Sequence, residues 1–200
     1  MDSNARIFPP MHKSVTATFP ARLPVALTGP WLARRWYYTP RSHRAYSIRQ
    51  ISSGDRRLLT EFARGLGAEA ADRDLASLRE HADILFERVL AGGSDMAVGF
   101  AALESTGGGD RVIGACAYAP DGPEWARFSI AVAKSYREEQ VGRTLLSTLV
   151  RQAKRAGVPS LRGEMPWANR PMHLLATSMG FRVEPLSADR NLRRLILALK

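Results

Sequence analysis

The densest set of groups able to do chemistry lies in one stretch, Ile130-Ala131-Val132-Ala133-Lys134-Ser135-Tyr136-Arg137-Glu138-Glu139-Gln140-Val141-Gly142-Arg143-Thr144-Leu145-Leu146. It reads as an apolar strand, a basic loop and the start of an amphipathic helix. The first turn of a helix offers unpaired amide N–H groups and the positive end of the helix dipole, so such a loop suits a phosphorylated ligand. Gly142 lets the backbone come close to phosphate oxygens. Arg137 and Arg143 can add charge-assisted hydrogen bonds. Glu138 and Glu139 place negative charge in the same loop, a small penalty only if solvent screens them. Taken alone, the loop is equally an ordinary strand-to-helix connection whose Gly142 opens the helix.

Other chemistries find little support. The histidines His12, His43, His81 and His173 have none of the spacings that build a zinc or iron centre, so no metal is expected. No phosphate-binding Gly-x-x-x-x-Gly-Lys-Ser/Thr motif and no Ser-His-Asp or Cys-His arrangement is suggested. The one cysteine, Cys116, lies in an apolar strand and reads as a small buried hydrophobe. A single cysteine allows no intramolecular disulfide, which fits a reducing cytoplasm.

These groups must be positioned by one ordinary domain of the 200-residue chain, whose hydrophobic fraction of 45% is enough for a real core. No apolar run approaches the roughly 18–20 residues needed to cross a bilayer, so no membrane partner is expected. The net charge of +10 is uneven: before residue 47 there are seven basic residues and one acidic. That leader, residues 1–45, also holds Pro9, Pro10, Pro20, Pro24, Pro30 and Pro40, which interrupt any regular element. Its cluster Trp31, Trp36, Tyr37 and Tyr38 beside Arg34 and Arg35 could stack on single-stranded nucleic acid. Packing on the body of the protein, or on a second subunit of a homodimer, is the plainer reading. The basic, acid-poor composition also suits an organelle transit peptide, although the prolines spoil the amphipathic helix such a peptide needs.

From Ser47 the pattern becomes regular. Ser47–Ile51 alternates as a first strand. A helix runs from Ser53 or Gly54 to Leu66, with Leu58, Leu59, Phe62 and Leu66 on one face. A second covers about Leu75–Leu90, with Leu78, Ile84, Leu85, Phe86 and Val89 apolar, and Gly92 and Gly93 stop it. Met96–Leu103 and Arg111–Ala119 form a hairpin through a glycine-rich turn, and Phe128–Val132 is a fourth strand. A helix over Gly142–Ala156 follows, then a fifth strand at Ser160–Met165. Asn169 caps a last helix to Met179, which Gly180 ends. Phe181–Val183 and Leu192–Leu199 finish the sheet.

This order resembles the GNAT family of N-acetyltransferases. That family marks its cofactor site with a strand, then Gln/Arg-x-x-Gly-x-Gly/Ala, then an amphipathic helix. Here Arg137 takes the first motif position, Gln140 stands where the family has its middle glycine, and Gly142 takes the last. Gly163-Glu164, then Asn169-Arg170-Pro171-Met172 and Met179-Gly180-Phe181, resemble the second family signature. Ser47 to about Val183 is similar to the acetyltransferase domain of bacterial protein-lysine acetyltransferases, and the leader is not covered. The resemblance implies an α/β (α+β) domain over 46–200. Its sheet would be mixed, mostly antiparallel and twisted, of about six or seven strands flanked by about four helices. A V-shaped split would open between strands four and five.

It also implies acetyl-CoA as co-substrate, held by Ile130, Ala131, Val132, Arg137, Gln140, Val141, Gly142, Arg143, Thr144, Asn169 and Met172. The acceptor would be an amine on a protein or a small molecule. A lysine amine is neutral only about 0.04% of the time at pH 7, so a general base is useful. A free strand N–H near Ala131 or Val132 could hold the developing oxyanion. Many relatives carry a carboxylate near the fourth strand, where this chain has Arg127 flanked by Glu124. Glu164, ending the fifth strand, is the other candidate base, although a surface glutamate paired with Arg162 would look the same. The tyrosine common in relatives seven residues after Asn169 is Ala176 here, and neither Tyr118 nor Tyr136 has a strong claim to replace it. A GNAT fold that binds an acyl-CoA or a partner protein without efficient catalysis is the second reading, and a nucleic-acid-associated protein is the third.

Overall fold

The computed structural model describes residues 35–38, 42, 44–69, 76–91, 97–122, 124–187 and 189–199. The leader prolines, Trp31, Arg34, His12, His43, Gly92, Gly93 and Met96 lie outside the described residues, and so does the transit-peptide reading; of the leader's aromatic and arginine cluster, Arg35, Trp36, Tyr37 and Tyr38 are described.

Eight strands form one sheet in the order β1-β2-β3-β4-β5-β6-β8-β7. They are β1 (Arg35–Tyr38), β2 (Ala45–Gln50), β3 (Val98–Thr106), β4 (Gly109–Pro120), β5 (Ala126–Val132), β6 (Ser160–Pro166), β7 (Arg182–Leu186) and β8 (Asp189–Ala198). The helices are α1 (Arg56–Glu69), α2 (Ala76–Leu90), α3 (Val141–Arg155) and α4 (Arg170–Ser178). Every neighbouring pair is antiparallel except β5 and β6. This is the mixed, mostly antiparallel sheet with four helices that the resemblance implies, with eight strands where about six or seven are expected. The strand at Arg35–Tyr38 adds an edge: Tyr37 lies opposite Tyr46, and their rings stack at 5.5 Å.

Two cores sit on the two faces of the sheet, as a sheet carrying helices on both sides requires. On one face Leu145, Leu146 and Leu149 of α3 pack on Ile113, Tyr118 and Phe128, with Leu161 and Leu195 beyond. On the other, Leu59 of α1 and Leu85, Val89 and Leu90 of α2 cover Ala101, Leu103, Ala115 and Ala117. Cys116 is fully buried in the first core, and burial pushes its thiol up, so it is no nucleophile at neutral pH.

Helix α1 differs from the sequence pattern. One turn of 3-10 helix over Ser53–Asp55 precedes it, and it runs on to Glu69 despite Gly65 and Gly67. The turn is fixed by Asp55, whose carboxylate accepts from both Arg49 guanidinium nitrogens at 2.6 and 2.7 Å and from the Ser52 amide at 2.8 Å.

Two glycines set how closely the layers approach at the opening of the sheet. A methyl at Gly114 would lie 2.9 Å from Leu145 Cδ1 and 3.3 Å from Val141 Cγ1, so α3 can rest on β4 only over glycine. A methyl at Gly163 would lie 2.6 Å from Phe128, whose ring fills the place of the missing side chain and meets Phe181 at 5.3 Å. Phe128 is thus a wedge at the point where β5 and β6 part.

Candidate functional site

Strands β5 and β6 pair in parallel only at Ala126↔Leu161 and Arg127↔Arg162. Beyond Arg127 they diverge, which is the expected split between the fourth and fifth strands counted from Ser47. On its other edge β5 stays paired with β4 as far as Val132↔Gly114, and the Ala133 amide donates to the Ile113 carbonyl at 3.0 Å. Backbone groups alternate in direction along an antiparallel strand, so Ala131, like Ala133, spends its N–H and C=O on β4. Those of Ile130 and Val132 therefore face the split. The Val132 carbonyl does so visibly, accepting from Arg137 Nε at 3.4 Å. Of the two amides expected near the oxyanion, only that of Val132 is free to serve, and Ile130 joins it.

Two cavities of about 780 Å³ each meet at this opening and share Leu66, Ile130, Ala131, Arg137, Pro166, Asn169 and Met172. The first lies toward α1 and α2, with Ser129 and Glu164 on its strand wall. The second lies toward α3 and α4, with Val132, Gln140, Gly142 and Arg143 on one side and Trp167, Leu174 and Leu175 on the other.

The start of α3 is left uncapped. Gln140 is its N-cap residue, and its side chain makes no capping hydrogen bond. The first intrahelical bond runs from the Thr144 amide to the Gln140 carbonyl at 3.0 Å. The amides of Val141, Gly142 and Arg143 precede it and have no acceptor within the helix. Gln140 has φ 60° and ψ 4°, the left-handed region that glycine adopts without cost, and it alone of the described non-glycine residues has positive φ. A side chain at the family's middle glycine is therefore held in glycine's own backbone conformation.

The loop is braced from behind. Glu139 is buried, and its Oε1 accepts from the Ser42 amide at 3.1 Å. The Tyr136 hydroxyl accepts from Arg44 and Arg111 at 3.1 and 3.0 Å and bonds to the buried Glu104 carboxylate. Tyr46 donates to Thr144 Oγ1 at 3.1 Å, and Thr144 donates to the Gln140 carbonyl at 3.0 Å. Val141 is fully buried and Thr144 spends both its amide and its hydroxyl here, so neither presents a side chain to the cavity. The sequence carries no short-range signal for this brace, because the ties from Ser42, Arg44 and Tyr46 span 92 to 98 residues.

Asn169 caps α4 as expected, accepting from the Met172 amide at 3.1 Å. Glu164 is half-buried on the wall of the first cavity. Glu124 is not brought to the opening. It is exposed at the closed end of the split, where its carbonyl accepts from Ser160 Oγ at 3.0 Å, and it lines neither cavity. Arg127 is held by Asp121 at 2.7 Å. Tyr118 is buried in the α3-side core and Tyr136 is committed to the brace, so neither stands where it could serve as an acid. Ser129, Phe62, Leu66 and Phe86 line the first cavity. The three apolar ones read in the sequence as ordinary core positions of an amphipathic helix, and nothing local separates the two roles.

The family model described as the acetyltransferase (GNAT) family matches residues 68–181, more than half of the chain. The chain belongs to the GNAT acetyltransferase family. A search of the curated proteins finds no match. Among solved structures, this acetyltransferase is similar to the GNAT domain of Streptomyces lividans PAT, with 18% identity and a TM-score of 0.61 over 83% of this chain and 97% of that one. It is also similar to yncA from Salmonella typhimurium, a proposed acetyltransferase solved with its cofactor acetyl-CoA. There the identity is 21% and the TM-score 0.54, over 78% of this chain and 94% of that one. At 15% identity, a Staphylococcus aureus GNAT acetyltransferase superposes with a TM-score of 0.58 over 78% and 99% of the two chains. Among the described residues of this GNAT protein, no helix is long and apolar enough to cross a membrane, and no three metal-ligating side chains gather.

Proposed function

We propose that this chain transfers an acetyl group from acetyl-CoA to a primary amine by direct attack in a ternary complex. The observation that carries the reading is the pair of cavities meeting at the split, one ending on the uncapped start of α3 and the other on Glu164. The donor set fits coenzyme A. The amides of Val141, Gly142 and Arg143, with the Arg137 and Arg143 guanidinium groups, suit its pyrophosphate. The unpaired edge of β5 at Ile130 and Val132 suits the amide-rich pantetheine arm, with Ala131, Asn169 and Met172 alongside. Gln140 sits at the mouth, and Thr144 positions it rather than touching the ligand.

Attack by the amine nitrogen on the thioester carbonyl forms the new C–N bond, and the C–S bond then breaks. The Val132 amide would donate to the oxyanion that develops between these events. Glu164 would take the amine's proton, directly or through a water. The coenzyme A thiolate leaves and takes a proton from solvent, since Ala176 is buried where relatives carry a tyrosine.

That missing acid, and the Glu138 and Gln140 side chains on the wall of the second cavity, favour a second reading: acyl-CoA binding without efficient turnover. Calorimetry with acetyl-CoA and continuous detection of free thiol in the presence of an amine library test both. Binding with thiol release that depends on the amine is the expected result. Binding alone selects the second reading, and no binding removes both.

A further inference from the structure

The chemistry of the acceptor can be read from the first cavity, given the acetyl-transfer reading above. Its volume of about 780 Å³ lies in the range that holds a single small molecule, roughly 300–1,000 Å³. Two helices supply an apolar wall, with Leu59, Phe62 and Leu66 from α1 and Leu85, Phe86 and Leu90 from α2. Leu59, Leu85 and Leu90 are buried in the core beneath, whereas Phe62, Leu66 and Phe86 keep part of their surface in the cavity. Two partly buried phenyl rings, one from each helix, line the cavity and suit an aromatic or branched alkyl body.

The charges sort by position. Arg127 is neutralised by Asp121 at 2.7 Å, and Glu87 by Arg56 at 2.6 Å. Arg64 and Asp83 are both exposed, opposite in sign, and stand on α1 and α2. Arg137 lies at the junction with the second cavity, bonded to the Val132 carbonyl. That leaves Glu164 as the one half-buried carboxylate on the strand wall among the described lining residues. One inner negative charge in a cavity lined by rings and aliphatic side chains matches a ligand with one cationic nitrogen and an apolar body. A polyamine would want several carboxylates along its length, and a polyhydroxylated amine would want hydrogen-bonding side chains where Phe62, Leu66 and Phe86 stand. A lysine of a folded protein would fill only part of such a cavity.

We infer that the acceptor is a small primary amine on an aromatic or branched alkyl body, seated between Phe62, Leu66 and Phe86 with its nitrogen toward Glu164. The experiment uses phenethylamine, spermidine, an aminoglycoside and an acetyl-capped lysine peptide as probes. Each is titrated calorimetrically into the full chain saturated with coenzyme A, and each is assayed for thiol release with acetyl-CoA. Phenethylamine should bind at least tenfold more tightly than the other three and show the lowest KM. Phe62→Ala should weaken phenethylamine at least tenfold and leave acetyl-CoA affinity unchanged. Phe86→Leu serves as the milder variant if Phe62→Ala loses its circular dichroism spectrum. Preference for the peptide, the polyamine or the aminoglycoside overturns the inference, and so does phenethylamine binding that ignores both substitutions. Tight, Phe62-dependent amine binding without thiol release would sustain the inference and count against acetyl transfer, so the two failures are distinct.

Discussion

Glu139 Oε1 accepts a hydrogen bond from the Ser42 amide at 3.1 Å, which turns a loop carboxylate away from the start of α3 and ties the loop to the segment before β2. An acidic residue that would repel a bound pyrophosphate from one rotamer supports its site from the other. Glu139→Gln keeps an acceptor for Ser42 while removing charge, and acetyl-CoA affinity by calorimetry should not improve. Glu139→Ala removes the acceptor and should cost about 1.5 kcal/mol in chemical denaturation, the scale for a hydrogen bond to a charged group. Tighter acetyl-CoA binding by Glu139→Gln would show that repulsion, not bracing, is the dominant effect.

Gln140 holds a left-handed conformation that costs a non-glycine residue roughly 1–2 kcal/mol. Gln140→Gly should relieve that strain and raise the denaturation midpoint, less the entropy that glycine adds to the unfolded chain. Its side chain lines the second cavity, so the same substitution should also tighten acetyl-CoA binding. Weaker binding would mean that the Gln140 side chain makes a contact of its own.

Gly142 can be tested without disturbing the fold. A methyl there would meet Leu175 at 3.5 Å and Val132 at 3.6 Å, ordinary contact distances. Gly142→Asp should leave the protein folded and weaken acetyl-CoA by more than about 1.4 kcal/mol, a factor of ten. Unchanged affinity in the folded variant takes the start of α3 out of the site.

Glu164→Gln preserves size and hydrogen bonding and removes basicity. Turnover should fall roughly 10²-fold or more, the scale for losing a general base, with acetyl-CoA affinity little changed. If mutant and wild type turn over alike across the pH range, Glu164 only positions or attracts the amine.

Acid should unfold the protein through two buried carboxylates. Burial alone would raise the pKa of Asp55 and of Glu104. The Arg49 pair with the Ser52 amide outweighs it for the first, and Tyr136 with Arg111 and Arg44 for the second, so both are held below the usual range. A depressed folded pKa gives stability that is present above the unfolded value of about 4 and is lost as pH falls through the folded one. Denaturation midpoints should be flat from neutrality to about pH 5 and fall steeply below about pH 4. Asp55→Asn should flatten part of that fall, and a variant with the wild-type slope would show that the Asp55 pair contributes nothing to it.

The family, the element order and the strand, loop and helix on which the proposed cofactor site rests were legible in the chain because each is written locally. Leu145, Leu146 and Leu149 repeat at helical spacing, Asn169 caps the helix it precedes, and Arg137 to Gly142 is a contiguous motif. The readings that failed or stayed mute depended on partners distant in sequence. Glu124 and Glu164 each adjoin one of the two strands that part, yet one sits at the closed end and the other at the open end, because pairing stops after Arg127↔Arg162 where Phe128 wedges over Gly163. Ala131 and Val132 are adjacent apolar residues, and only the register with β4 decides which amide faces the split. The buried turn of Glu139, the tie from Tyr46 to Thr144 and the place of Phe62 and Phe86 on a cavity wall as well as on the core belong to no local code. Helical and strand periods record which face of an element is apolar; what that face meets is set only when the sheet, its split and its two helical layers close around one another.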